Sequence, residues 1–220
     1  NAYNWLASLI RPPQNQISQV SNECKKFNLA EWETGQGELT RDGNLWSLSA
    51  TSSNGLLRYK EPIPLSSEIK VTFVPHSTEQ INFAINAHDL YEVVIGDGGY
   101  QGVTLKASLG SDQTMKTIKN TEGYKRNIFK EGELAPGTDV TIVLKQGISR
   151  LEDDSYEVNI SILYRYEIEN AKDKLFATYD FPIPPKFNYE ESSMRLSIGL
   201  IAADNNTDVS AEILCFEVSS

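Results

Sequence analysis

The fold turns on the stretch Ile81-Asn82-Phe83-Ala84-Ile85-Asn86-Ala87 and on the run Tyr91-Glu92-Val93-Val94-Ile95-Gly96 that follows it. In the first, Ile81, Phe83, Ile85 and Ala87 alternate with Asn82, Ala84 and Asn86. Successive side chains on a β-strand point to opposite faces, so this order predicts a strand with one apolar face inward and one amide-bearing face outward. The same rhythm recurs upstream in Ile69 to Phe73. Downstream it recurs in Val103 to Ala107, Val140 to Leu144, Tyr156 to Leu163, Leu175 to Phe181, Met194 to Ile201 and Ala211 to Val218. Turn residues separate these runs: Gly96-Asp97-Gly98-Gly99, Gly110-Ser111-Asp112, Ala135-Pro136-Gly137, Gln146-Gly147 and Asp204-Asn205-Asn206. Short strands at this spacing predict an all-β chain, a two-sheet antiparallel β-sandwich of jelly-roll type.

Working outward to the N-terminus, Tyr3, Leu6, Leu9 and Ile10 have helix-like spacing and are stopped by Pro12-Pro13, so a short helical or extended lead-in precedes the strands. The expected division is a lead-in over 1–27 and one sandwich domain over 28–220. The chain starts on Asn, which marks a fragment or a processed product. Cys24 and Cys215 lie near opposite ends. A bridge between them would make the incoming segment a neighbour of the last strand; two separate buried thiols are the alternative. The sequons Asn159-Ile160-Ser161 and Asn205-Asn206-Thr207 and a disulfide fit an extracellular, periplasmic or cell-surface location.

The 220 residues are 40% hydrophobic, enough for a substantial core, and carry a formal charge of −10. Such an acidic surface disfavours polyanionic partners, so nucleic acid and acidic membranes are excluded first. No apolar run approaches the ~18 residues that a membrane-spanning helix needs.

The order of features through Trp32-Glu33-Thr34-Gly35, Leu39-Thr40-Arg41-Asp42-Gly43-Asn44-Leu45-Trp46 and Asn54-Gly55-Leu56-Leu57-Arg58-Tyr59 resembles the first strands of concanavalin A-like lectin/glucanase sandwiches, laminin G-type modules included. Tyr91-Glu92-Val93-Val94-Ile95-Gly96 is also similar to a strand of farnesoic acid O-methyltransferase-like domains. The resemblance implies a sandwich that binds ligands. Where those domains carry Gly-Asn after the strand, this chain has Asp97-Gly98-Gly99-Tyr100.

Three groups of residues bear on chemistry. If Ile81, Phe83 and Ile85 point inward, then Asn82, Asn86 and His88 point outward, and Glu92, Thr104 and Lys106 can share that face with Tyr100 and Tyr124 nearby. Amides, a carboxylate, an ammonium and aromatic rings suit hydrogen bonding to sugar hydroxyls and stacking on a pyranose. Asp204, Asn206 and Asp208 concentrate hard oxygen ligands in one turn, and Asp89 with Asp97 offers a second set. These are the ligands a calcium ion takes, and calcium is the one cofactor the chain suggests. Glu152-Asp153-Asp154-Ser155-Tyr156-Glu157 has the carboxylate spacing that some glucanases of the resembled superfamily use, but its polar intervening residues predict a hairpin turn. His76 and His88 have no metal-ligand spacing, and no nucleophile elbow or phosphate loop is present. These readings favour a non-catalytic binding module for a carbohydrate or glycoprotein, followed by a structural or protein-interaction domain, with a glycoside hydrolase using Glu152 and Glu157 last.

Overall fold

The structure is a computed structural model, and it describes residues 24–76, 81–87, 90–96, 102–108, 115–120, 137, 139–166, 174–182, 193–202 and 207–220. The helical or extended segment expected at Tyr3 to Ile10 lies outside these residues. Alternation builds two seven-stranded antiparallel sheets. With strands numbered in chain order, sheet one runs β1 (Trp32–Gly37), β4 (Asn54–Tyr59), β15 (Leu196–Ile201), β7 (Asn82–Ala87), β8 (Tyr91–Gly96), β9 (Gly102–Ser108), β10 (Met115–Asn120). Sheet two runs β13 (Lys174–Pro182), β12 (Tyr156–Tyr166), β11 (Val140–Arg150), β6 (Ser67–Pro75), β16 (Val209–Ser219), β3 (Leu45–Leu48), β2 (Thr40–Asp42). A two-stranded ribbon, β14 (Ser193–Met194) with β5 (Ile63–Pro64), completes the set. The antiparallel sandwich expected from the sequence is therefore the fold; the run Met194 to Ile201, read there as one strand, is divided at Arg195, Met194 pairing in the ribbon and Leu196–Ile201 in sheet one.

The apolar positions of the two sheets meet in one core. Phe83, Ile85, Val93, Ile95, Ile198 and Leu200 come from sheet one, and Ile69, Val71, Phe73, Ile142, Leu144 and Ile160 from sheet two. Phe73 and Phe83 stack across the gap with centroids 4.2 Å apart.

Gln146-Gly147 is a correction to the sequence reading. It is not a turn, because β11 continues to Arg150 and pairs with β12 throughout, Gly147 lying opposite Asn159. Gln146 takes the inward position after Val140, Ile142 and Leu144, and the core satisfies it. Tyr91 of the other sheet donates its hydroxyl to Gln146 Oε1. Gln146 Nε2 donates to Ser67 Oγ at 3.0 Å and to the Pro64 carbonyl at 3.1 Å. A polar side chain in the core persists only with such partners, and this set ties the sheets together.

Burial pushes the Tyr91 phenol far above its usual range. The unfolded chain gives up that proton near pH ~10, whereas the native phenol keeps it. Above that pH the unfolded state binds fewer protons, so this contribution to stability is complete below pH ~10 and falls as the pH rises. Tyr91→Phe is expected to cost about 1–3 kcal/mol by leaving a buried acceptor unpaired, and to reduce the loss of stability between pH 9 and 11. Denaturant titrations of both proteins at the two pH values check this; equal pH slopes would remove Tyr91 as their source.

Cys24 and Cys215 form a disulfide with Cα atoms 5.8 Å apart, which settles the open pairing. The incoming segment lies antiparallel to β16, with Phe27 N donating to the Leu214 carbonyl and Phe216 N to the Lys25 carbonyl, both at 2.9 Å. After one 3-10 turn at Leu29–Glu31 the chain crosses to sheet one as β1. Trp32 closes this corner, 3% exposed, with Phe27, Tyr59 and Phe216 rings 4.7–5.5 Å away.

Candidate functional site

The face of sheet one that points away from the core carries a polar row built by strand register. Glu33 lies opposite Arg58, Arg58 opposite Ser197, Ser197 opposite Asn86, Asn86 opposite Glu92, and Glu92 opposite Lys106. At the spacing of about 4.8 Å per strand, Arg58 and Lys106 stand about 19 Å apart. Glu92 is the hub of one end: Asn86 Nδ2 donates to Glu92 Oε2 at 2.9 Å, and Lys106 Nζ lies 3.5 Å from Glu92 Oε1. At the other end Arg58 Nε is 3.0 Å from Glu33 Oε1. Charges of opposite sign thus alternate at the two ends, and the row is locally neutral on an acidic protein.

Exposure divides the row. The Glu33 and Arg58 side chains are 51% and 35% exposed and those of Lys106 and Glu92 are 23% and 15%, whereas Ser197 is buried at 1%. One register step along, Leu56, Gly199, Ala84 and Val94 form a parallel lane of small and apolar residues. Leu56, Ala84 and Val94 are buried in a cluster of their own, separate from the core and joined by Ile201. The face therefore offers partly exposed hydrogen-bonding groups at its ends, whereas the apolar lane beside them is buried.

The residues singled out in the sequence fall into three sets. Asn86, Glu92 and Lys106 come together as expected. Asn82 shares their face but is fully buried, and its Nδ2 donates to the Ala202 carbonyl at 3.0 Å. Gly96 opposite it has no room for a side chain, since a Cβ there would meet Asn82 Oδ1 at 2.1 Å. His88, Tyr100 and Tyr124 lie outside the described residues, as do Asp204, Asn206, Asp89 and Asp97. Asp208 is engaged structurally, its Oδ1 accepting from the Ala50 amide at 2.8 Å. Among the described residues no group of three or more His, Cys, Asp or Glu side chains could hold a metal ion. Glu33, Arg58 and Ser197 were missed in the sequence because alternation assigns a face but not a neighbouring strand.

Glu152 to Glu157 forms the β11–β12 hairpin read from the sequence. Arg150 pairs with Tyr156, Leu151 N donates to the Ser155 carbonyl at 2.8 Å, and Asp154 adopts φ 64°. The Ser155 hydroxyl and amide both donate to Asp153, holding its carboxyl below the usual range. The hairpin belongs to sheet two, away from the polar row. On the row itself, Glu33 and Glu92 are about 19 Å apart, against the ~5–9.5 Å that separates glycosidase carboxylates.

No protein-family model matches the chain, and no curated protein matches it in sequence. Solved structures do match it in fold. A carbohydrate-binding module, CBM66 from Bacillus subtilis, superposes with a TM-score of 0.51 and 8% identity over 90% of this chain and 98% of that one. The exoplasmic/lumenal domain of VIP36, in a form with Ca2+ and Man3GlcNAc bound, superposes with a TM-score of 0.51 and 10% identity over 89% and 87% of the chains. A prokaryotic β-1,3-1,4-glucanase (lichenase) from a mouse hindgut metagenome aligns with a TM-score of 0.49 and 8% identity over 89% and 95%. The class of fold is thus the concanavalin A-like jelly-roll sandwich that Trp32 to Tyr59 resembles. Identities this low establish the fold and leave the activity to the residues.

Proposed function

We propose that this sandwich is a non-catalytic carbohydrate-binding module of an exported or cell-surface protein. The observation that carries the reading is the Asn86–Glu92–Lys106 cluster, in which amide, carboxylate and ammonium are held in register on an outward sheet face and remain partly exposed. Sugar hydroxyls both donate and accept, so they pair with all three groups. Local neutrality of the row favours uncharged sugars. The fold likeness to a carbohydrate-binding module and to a glycan-bound lumenal domain supports the same class of ligand. The disulfide supports an oxidising compartment.

A glycan array, probed with and without calcium, identifies the ligand, and calorimetry then measures it. Glu92→Gln is expected to weaken binding ten- to a hundredfold, the loss of one hydrogen bond to a charged group being about 1.5–3 kcal/mol. Lys106→Ala is expected to act in the same direction. Unchanged affinity in both variants would move the ligand off this face. Absence of any bound glycan, with a protein partner recovered instead, would replace the reading with a protein-interaction domain.

A further inference from the structure

We infer that the Cys24–Cys215 bridge makes the chain between the two cysteines a side loop that tension does not cross, so that in a stretched polypeptide only the Phe216–Ser219 end of β16 is loaded and the rest of the sandwich is not drawn out. The inference is independent of the ligand reading. The bridge joins residues 191 apart, and β1 to β15 all lie between them. The incoming segment and β16 are antiparallel, with Lys26 opposite Cys215. In an antiparallel pair the upstream end of one strand lies beside the downstream end of the other, so Cys24 sits beside the end at which β16 runs out to Ser219.

Pulling on the chain at both sides would therefore peel this pair from one end. On this edge the Lys25 carbonyl to Phe216 amide bond would be strained before the Phe27 amide to Leu214 carbonyl bond, while on its other edge β16 would part from β6 beginning at Ser219, opposite Glu68. Peeling loads hydrogen bonds singly, which makes this corner weak by itself. Continued peeling would uncover Phe27 and then Trp32, the closure of the core at this corner. The disulfide stands at the fork of that peel. Tension arriving at Cys24 passes through the two sulfur atoms to Cys215 and leaves along Phe216 to Ser220; of the two sheets only Phe216–Ser219, the end of β16 that pairs with β6 from Val71 to Glu68, lies on this path.

The test is single-molecule pulling of the full chain with handles fused at both ends. In the oxidised chain, no extension from residues between the cysteines is expected at forces that leave covalent bonds intact. When reductant is added to the same folded molecule, unfolding is expected to release a length on the order of 650 Å, the 191-residue separation at ~3.4 Å per residue. An extension of that size from the oxidised chain overturns the inference, as does a trace that reductant leaves unchanged. The variant with both Cys24→Ser and Cys215→Ser is expected to extend like the reduced chain. Adding reductant after folding keeps the test decisive should that variant not fold.

Discussion

Removing the Cys24–Cys215 bridge, by reduction or by Cys24→Ser with Cys215→Ser, is expected to lower the free energy of unfolding by about 5 kcal/mol. On the chain-entropy account, a cross-link stabilises by restricting the unfolded ensemble, and the effect grows with the logarithm of the closed loop. This loop spans 191 residues, nearly the whole chain, so the bridge is close to the largest such constraint the molecule could carry. The native side fits the expectation, because Lys25, Lys26 and Phe27 are also held along β16 by backbone pairing next to the bond. A loss of this size is a large part of the ~5–15 kcal/mol that holds a domain folded. Urea titrations with and without reductant measure it. At a slope of about 2–3 kcal/mol/M the midpoint should fall by about 2 M. A shift below about 0.3 M would show that the unfolded chain is compact enough to make the bridge redundant.

Phe83→Ala is expected to cost about 3–5 kcal/mol. Phe83 is 1% exposed and Phe73, which stacks on it, is fully buried. Truncation removes the transfer free energy of the ring and leaves a cavity between two sheets whose hydrogen-bond ladders resist collapse. Phe83 pairs laterally with Ile95 and Leu200 on sheet one, and Phe73 with Val140 and Ile213 on sheet two, so neighbours on all four sides are held by backbone pairing. A double-mutant cycle of Phe73→Leu and Phe83→Leu should return a coupling of about 0.5–1.5 kcal/mol for the stacked pair. Additive losses would mean that the two rings contribute only through their separate burial. Because Asn82 and Ala84 flank Phe83 on the opposite face, the same variants also test whether the polar row depends on the core beneath it.

The sequence was informative wherever a property is local. Alternation placed Asn86 and Glu92 outward and Ile85 and Val93 inward, because strand geometry forces neighbours to opposite faces. It misread Gln146-Gly147 for the same reason: Gln and Gly favour a turn locally, but Gln146 finds Tyr91 and Ser67 across the sandwich, and Gly147 lies opposite Asn159 in open space. Asn82 has the outward polarity of a ligand contact, yet burial and the Ala202 carbonyl give it a structural partner that no pattern in the sequence announces.

By itself the sequence determined the all-β class, the orientation of each strand's faces, the turn at Glu152 to Ser155 and the presence of two cysteines that could meet. Those follow from dihedral preferences and period-two chemistry within a few residues. The tertiary structure alone decided that Arg58 lies beside Ser197 and Ser197 beside Asn86, aligning Glu33 to Lys106 in one row, and that Cys24 lies within bonding distance of Cys215. Lateral strand order is set by how two apolar faces pack and by which backbones pair between distant segments, and alternation along a single strand carries no information about either.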